Sequence, residues 1–443
     1  MRLYNSKTNT IESFVPLEAG KVKLYVCGPT VYGDAHIGNA RPVIVFDTLR
    51  RTFEALGYTV DYVSNVTDVD DKIIQKALAE GVSETVITDR YIAAYNAIRQ
   101  ALNTRTLTFN PKVTETIEPI VAFIDQLVKE GYAYNVNGNV YFRVLKSERY
   151  GEISKQRIDD LLVGARIDED PDKESPLDFA LWKKTNEGIQ WDSPWGKGRP
   201  GWHTECVVMI NDYFKGPIDI HGGGMDLKFP HHENELAQAK ACLHHHLANV
   251  WMHNGMLNID GEKMSKSLGN VLQAKDVIAK LGANTVRWMM LSAHYRAPLN
   301  ISEEVIEQAK TELGKAVTVL RQIDVRNQLN DLHPQSTPDA EYYPRFLAAM
   351  EDDLNTPNAM AVLFDAIKAV NQALRQREVQ EESVAQLTAS IRGMLEVLGI
   401  DVPVVTLTDD QKALFAAWNT AKAAKDFEAA DKARQALMAQ GLL

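Results

Sequence analysis

Three short strings hold the residues of this 443-residue chain whose types and spacing suit chemistry. The first is His36-Ile37-Gly38-Asn39. Glycine lets backbone approach a ligand, and a helix opening here offers unpaired N–H groups and a positive dipole to phosphate. His36 and Asn39 add side-chain donors for an anionic transition state. Taken alone, the string also describes a solvated loop. The second is Lys263-Met264-Ser265-Lys266-Ser267, with Gly261 and Gly269 as hinges. Two lysines around small hydroxyl residues suit a loop that closes positive charge on a polyphosphate. An isolated lysine pair would read as a solvated basic loop; the whole pentapeptide does not. The third is Pro230-His231-His232-Glu233-Asn234-Glu235, a helix opened by proline. His231 and Glu235 fall on one face and His232 is turned away from it. Histidine and carboxylate so placed make half of a zinc site, and Cys27 and Cys206 are the natural completion. The residues alone leave buried structural cysteines and a helix-capping histidine as the simpler account. Cys242 reads as a buried thiol, and His244-His245-His246 as an exposed helix end.

The elements that position these strings alternate between strand and helix. Lys21–Val26 is strand-like and ends at the loop signal Cys27-Gly28-Pro29-Thr30. From about Ala40, Phe46, Leu49, Phe53 and Leu56 line one helix face until Gly57 stops it. Tyr58–Val63 is a second strand. Strand, helix, strand predicts a parallel α/β sheet with ligands at the carboxyl ends of its strands, where Cys27 sits. Asn137-Gly138-Asn139 predicts a hairpin turn, 168–176 an exposed loop, and Asp219-Ile220-His221 with Gly222, Gly223 and Gly224 another strand end. After about residue 300 the pattern is helical. Ser302 caps one helix, 327–344 reads as a linker, Thr356-Pro357 starts another helix, and 399–410 reads as a second linker. The last segment, 411–443, is more basic than the whole and carries Trp418 and Phe427.

Composition narrows the class. Apolar residues make 45 % and charged residues 24 %, ordinary for a folded chain of two to four domains. No run approaches a membrane span and no leader is visible, so a cytoplasmic location is expected. Three cysteines exclude a disulfide scaffold. A net charge of −11 argues against indiscriminate nucleic-acid binding but leaves room for a specific partner on a local basic face.

Taken together, the strings resemble cysteinyl-tRNA synthetase. They are Cys27–Arg41, Asn65–Lys72, Gly198–Cys206, Asp219–Leu227, Phe229–Glu235 and Lys263–Ser267, in that family's order, with Asp352-Asp353-Leu354-Asn355-Thr356-Pro357 like the start of its helical tRNA-binding domain. The resemblance implies a class I synthetase: a Rossmann-like parallel-sheet α/β catalytic domain over 1–300, with an insertion at about 110–197. A helical tRNA-binding bundle follows over 301–398, then a C-terminal helical anticodon-side region over 399–443. His36–Asn39 and Lys263–Ser267 become the two class signatures, with His36, Asn39, Lys263 and Lys266 catalytic. One zinc per chain is implied on Cys27, Cys206, His231 and Glu235. Cys27, Gly28, Thr67 and Trp202 are implied against L-cysteine. Gly38, Lys266, Gly222, Gly223, Gly224 and Asp226 are implied along ATP, with Asp226 and the glycines before it at the ribose. Mg²⁺ is expected with the ATP, with no dedicated protein site legible.

The implied activity is two-step charging of tRNA(Cys) through cysteinyl-adenylate, by a monomer. Zinc favours thiolate, so a metal contact discriminates against serine and alanine far better than one methylene could, and no editing domain is expected. Asn39 stands where the class signature has histidine, and keeps a donor. The family usually continues past the position of Leu443 with a short Gly- and Trp-containing tail, so anticodon affinity is expected to differ. Two other readings share parts of the pattern. A cysteine:amino-sugar ligase of mycothiol synthesis shares the adenylating half, but the helical continuation favours tRNA. A non-catalytic tRNA-binding paralogue would carry damaged signatures, and Lys263–Ser267 is intact.

Overall fold

The computed structural model describes residues 1–164, 171–263, 270–334 and 336–442. Four parallel strands make its central sheet. They are β1 (Lys21–Val26), β2 (Thr59–Ser64), β3 (Ile218–Gly224) and β4 (Ala248–Asn254), in spatial order β4-β3-β1-β2. Helix α1 (Ile37–Ala55) is the crossover from β1 to β2 and buries Phe46, Leu49 and Phe53. The strand order reverses between β1 and β3, so a crevice opens at the carboxyl ends there, where open α/β sheets bind ligands.

Helix α1 starts at Ile37, three residues before the sequence periodicity does. His36 and Asn39 cap it reciprocally, His36 N donating to Asn39 Oδ1 at 3.1 Å, and that cap sets the start. Two further helices follow β2: α2 (Asp71–Glu80), capped by Asp70, and α3 (Glu84–Ala101), capped by Ser83. An antiparallel sheet over Ala133–Val136, Asn139–Phe142, Phe179–Lys184 and Gly198–Pro200 comes next. Its hairpin turns at Asn137-Gly138, both at positive φ, as the sequence predicts. Its last strand feeds α4 (Trp202–Phe214). The three glycines close β3, as the sequence predicts. A side chain on Gly222 would overlap the Phe46 ring of α1, so bare backbone lets helix and sheet touch.

The proline-opened helix also differs from expectation. Lys228–His232 is a wide turn with Phe229 extended, and regular helix α5 (Glu233–Gln238) begins only at Glu233. That wider turn aims both His231 and His232 inward. The expected linker at 327–344 is shorter than read: the helix capped by Ser302 runs Glu303–Leu329, and the next begins at Tyr342. Asn355 caps Thr356–Leu374, then Glu381–Val397 follows. These helices share one continuous apolar core with the sheet domain, reaching from Leu24 and Phe46 to Met394 and Leu398. A terminal pair, Asp409–Ala423 and Phe427–Ala439, packs on a small cluster around Phe415 and Leu437.

Charge locks sheet domain to bundle. Asp47 of α1 is buried and accepts from Arg51 Nε and Arg287 Nη2, both at 2.8 Å, and from Arg105 N at 2.8 Å. Arg287 also donates to the Leu398 carbonyl and Arg51 to that of Glu396, both in the bundle. Gly399 stays in the left-handed region (φ 71°), where a side chain would strike the Arg287 guanidinium. Removing one partner of a buried charge cluster strands the others in low dielectric. Asp47→Ala is therefore expected to cost about 3–5 kcal/mol, read as a fall in the urea midpoint. A loss below about 1 kcal/mol would mean the cluster does not hold the interface.

Candidate active site

The crevice at the switch point is a cleft of about 600 Å³. Its floor carries the metal-type residues. Cys27 ends β1, Cys206 lies on α4, His231 in the wide turn and Glu235 on α5. Cys27 Sγ lies 3.6 Å from Cys206 Sγ and 3.6 Å from Glu235 Oε1, and Cys206 Sγ is 3.8 Å from His231 Nε2. His231 Nε2 and Glu235 Oε1 are 2.8 Å apart. Tetrahedral zinc with its usual bond lengths separates two sulfurs by about 3.8 Å and sulfur from nitrogen by about 3.6 Å, so the set fits. Cys206, His231 and Glu235 are fully buried, and Cys27 alone of the four opens to the cleft.

A second set also converges: Cys27, Glu235, His221 and His232. The structure thereby corrects the expectation that His232 turns away, since its Nε2 lies 3.3 Å from Cys27 Sγ. Outer hydrogen bonds favour the first set. A ligating histidine tethers its other nitrogen. His231 Nδ1 meets His203 Nδ1 at 3.0 Å, whereas the buried His221 Nδ1 has no partner among the described residues. His221 instead places Nε2 2.5 Å from Glu235 Oε2, the position of a donor that orients the carboxylate. His232 Nδ1 is tied to His253 and His253 to Ser6 Oγ, both at 2.8 Å. The first set also offers two thiols to a thiophilic ion.

Titration follows from this crowding. Burial pushes the Glu235 carboxyl up, but the facing His221 and His231 imidazoles outweigh it and hold it well below the usual range. Burial opposes protonation of His231, yet Glu235 and Cys206 raise it to about 10. Of the coupled thiols, Cys206 is drawn down to about 6, chiefly by the hydrogen bond with Cys27, while burial drives Cys27 up. Carboxylate and thiolate are thus the favoured forms at Glu235 and Cys206, the donor forms a divalent cation needs.

The other expected residues fall around this floor. Trp202 is 41 % exposed and stacks on the His231 ring at 4.4 Å, a lid over a ligand at the cleft edge. Gly28 lines the cleft; a side chain there would overlap the Asn65 carbonyl, so only glycine fits. Thr67 is buried beneath it. Its Oγ1 donates to Glu205 at 2.8 Å and accepts from Asn65 Nδ2, while Asn65 Oδ1 accepts from Gly28 N. Burial, with Cys206 adjoining, pushes the Glu205 carboxyl well above its usual value. His36, Gly38 and Asn39 line the cleft at the start of α1. Gly224 and Asp226 line its opposite wall, while Gly222 and Gly223 stay buried in β3.

Both ends of the second signature are anchored. Before it, Glu262–Lys263 pairs with Leu257–Ile259. After it, Ile37 N donates to Leu272 O and Ala274 N to Ala35 O, stitching the returning chain to the first signature. Lys266 lies outside the described residues, as does the side chain of Lys263. Sequence reading missed Asn254 and Met256, which line the cleft, and His203, His221, His253 and Glu205 behind it. The available signal was Met252-His253-Asn254 at the carboxyl end of an apolar strand. Arg41, buried in α1, holds that wall by donating to the carbonyls of Gly255, Met256 and Ala297. Burial lowers its pKa to about 10.

Comparison with known proteins agrees with this geometry. Residues 13–311 match the family described as tRNA synthetases class I (C) catalytic domain, and residues 345–402 match the DALR domain. The chain is 46 % identical over 450 residues to the cysteine–tRNA ligase of Halalkalibacterium halodurans, covering 100 % of this chain and 97 % of that one. It is 46 % identical over 452 residues to that of Geobacillus thermodenitrificans, covering 100 % and 96 %. Among solved structures it resembles Mycobacterium tuberculosis methionyl-tRNA synthetase in complex with methionyl-adenylate, with a TM-score of 0.61 and 16 % identity over 85 % of this chain and 89 % of that one, a likeness of fold. The cleft at the switch point, floored by two thiols, a histidine and a carboxylate, thus lies in a chain that its two cysteine–tRNA ligase relatives match from end to end, and the chain belongs to the cysteine–tRNA ligase family.

Proposed function

We propose that the chain joins L-cysteine to tRNA(Cys) at the expense of ATP, with Cys27, Cys206, His231 and Glu235 holding one zinc ion. The observation that carries this reading is the two-thiol cluster opening, through Cys27 alone, into the cleft that the first signature lines. Zinc held there supplies a thiophilic Lewis acid that prefers a thiolate to a hydroxyl or a methyl group. Trp202 and Gly28 border the side chain of the substrate, and Thr67 positions the Gly28 backbone through Asn65. Gly224 and Asp226 flank the nucleotide from the cleft wall, with Gly222 and Gly223 buried behind them in β3.

The substrate carboxylate attacks the α-phosphate of ATP, a bond forms to carboxylate oxygen, and pyrophosphate leaves. No side chain acts as nucleophile; positioning and charge stabilisation lower the barrier. His36, Gly38 and Asn39 receive phosphate oxygens at the N-terminus of α1, and Lys263 and Lys266 neutralise the departing pyrophosphate, with Mg²⁺ accompanying the ATP. The 2′-hydroxyl of the terminal tRNA adenosine then attacks the acyl carbon, and AMP leaves. We assign 1–300 to catalysis, with its insertion at about 110–197, 301–398 to tRNA binding and 399–443 to the anticodon side, in a cytoplasmic monomer. No described helix is long and apolar enough to cross a membrane.

ATP–pyrophosphate exchange tests the reading. Exchange is expected with cysteine, lower with serine by about 10⁴-fold or more, and lost on chelation. No exchange from folded, zinc-loaded protein overturns it.

A second test addresses the metal helix. Glu233, between ligands His231 and Glu235, is buried and accepts from the backbone N–H groups of Gly151, Glu152, Ile153 and Ser154 at 2.8–2.9 Å. Glu233→Gln weakens that grip and is expected to speed zinc release into a chromogenic chelator about 10- to 100-fold. An unchanged release rate would mean the loop does not position the ligands.

A further inference from the structure

We propose that an arm of the cleft formed by Tyr32, Lys72 and Tyr91 seats the unpaired 3′ end of the tRNA, stacking its bases while the terminal hydroxyl reaches the aminoacyl group. The proposal rests on the ligase reading above and names where its third substrate enters.

The residues lining the cleft fall on three stretches of the sheet's carboxyl edge, the three arms of the cleft. The metal floor, with Cys27 and Trp202, lies between β1 and α4. The wall over the ends of β3 and β4, with Gly224, Asp226 and Asn254, faces the nucleotide. The proposed amino-acid and ATP sites draw on these two. The third arm lies over the ends of β1 and β2, on the other side of the switch point, and Tyr32, Lys72 and Tyr91 carry none of the roles assigned above to cysteine or ATP. Tyr32 follows β1, Lys72 opens α2 and Tyr91 sits on α3, and all three line the cleft.

The arm has the chemistry of a single-strand site. Tyr32 and Tyr91 rest on a small apolar cluster of Val31, Val66, Ile73, Ala77 and Ile87, which fixes the rings from beneath. Lys72 Nζ lies 5.2 Å from the centre of the Tyr32 ring, and Arg90 Cζ 5.8 Å from that of Tyr91. Glu80 takes Arg90 and Lys76 as ion-pair partners, and Asp34 takes Lys275. Lys72 is exposed and makes no ion pair among the described residues, so its charge is available to a phosphate. Flat aromatic faces beside cations are how proteins hold unpaired nucleotides, because every base has a π-face. A bare pyrophosphate or a second ATP phosphate chain would use backbone N–H groups, and would gain nothing from two tyrosine rings.

Reach agrees as well. The chain runs from ligand Cys27 to Tyr32 in one short segment, pinned by Val31 N to Thr67 O and Thr67 N to Pro29 O, both 3.2 Å. A base stacked on Tyr32 therefore lies one short loop from the metal floor where the acyl group forms. The whole chain is acidic, so a local cation on a cleft wall also gives the strand a defined point of entry.

The test separates adenylation from transfer in the full-length, zinc-loaded protein. Lys72→Ala and Tyr91→Leu each keep the apolar support of the arm. Cysteine-dependent pyrophosphate exchange, measured without tRNA, is expected within about twofold of the parent. Single-turnover transfer from preformed adenylate to tRNA(Cys) is expected to slow roughly 5- to 150-fold, the range of one lost stacking contact. Affinity for tRNA(Cys) lacking its terminal nucleotides is expected to be unchanged, an outcome that misfolding would not give. Unchanged transfer in both variants overturns the proposal. A parallel fall in exchange overturns it too, by assigning the arm to adenylation. No exchange from the parent overturns the ligase reading itself.

Discussion

The floor of the cleft gathers two thiols, a carboxylate and the imidazoles of His203, His221, His231, His232 and His253 in a space nearly closed to water. Burying so many polar groups is favourable only if each finds a partner of opposite charge or a hydrogen bond. The structure meets that condition for all but His221 Nδ1, among the described residues, by directing them at one another: His221 and His231 to Glu235, His203 to His231, His253 to His232. The strand ends, the wide turn at Lys228–His232 and the nest around Glu233 all serve this arrangement. Each places one polar group where its neighbour requires it.

Helix α1 carries the consequence outward. Its first turn lines the cleft, and Arg41, a turn further on, holds the carbonyls of Gly255 and Met256 in the cleft wall. Its second half, through Asp47 and Arg51, is bonded to the carbonyls that close the bundle helix Glu381–Val397. A second latch repeats the theme: Asp353, buried ahead of the bundle helix Thr356–Leu374, accepts from Tyr4 N, Tyr295 Oη and Arg296 Nε, all at 2.8 Å. Catalytic and helical parts thus meet through charged groups seated in a shared apolar core, which fixes their angle as apolar packing alone would not.

Much of this was legible beforehand, for definable reasons. β1, the Asn137-Gly138 turn and the helices capped by Ser302 and begun at Thr356 follow from periodicity and local cap chemistry, which act within a few residues. The convergence of Cys27 and Cys206 with the His231–Glu235 turn was suggested by residue type, but only tertiary packing brings them together. The inward turn of His232 was not legible, because helical geometry was assumed through Pro230 where the chain makes a wider turn. The roles of His221 and His253 were hidden for a related reason. Histidine in an apolar strand looks the same from sequence whether it fills a core or orients a neighbouring carboxylate. The glycines at the end of β3 were legible as a strand end, but the use of Gly222, contact between Phe46 and bare backbone, depends on a helix far off in sequence.

The metal set draws its members from the first strand, the helix after the inserted sheet and the turn before α5. During synthesis the Cys27 thiol leaves the ribosome long before Cys206, His231 or Glu235 exists. No nascent fragment that stops within the inserted sheet carries more than one of the four. The order of translation itself thus keeps a half-made floor from assembling, and the four donors come together only as the sheet domain is completed.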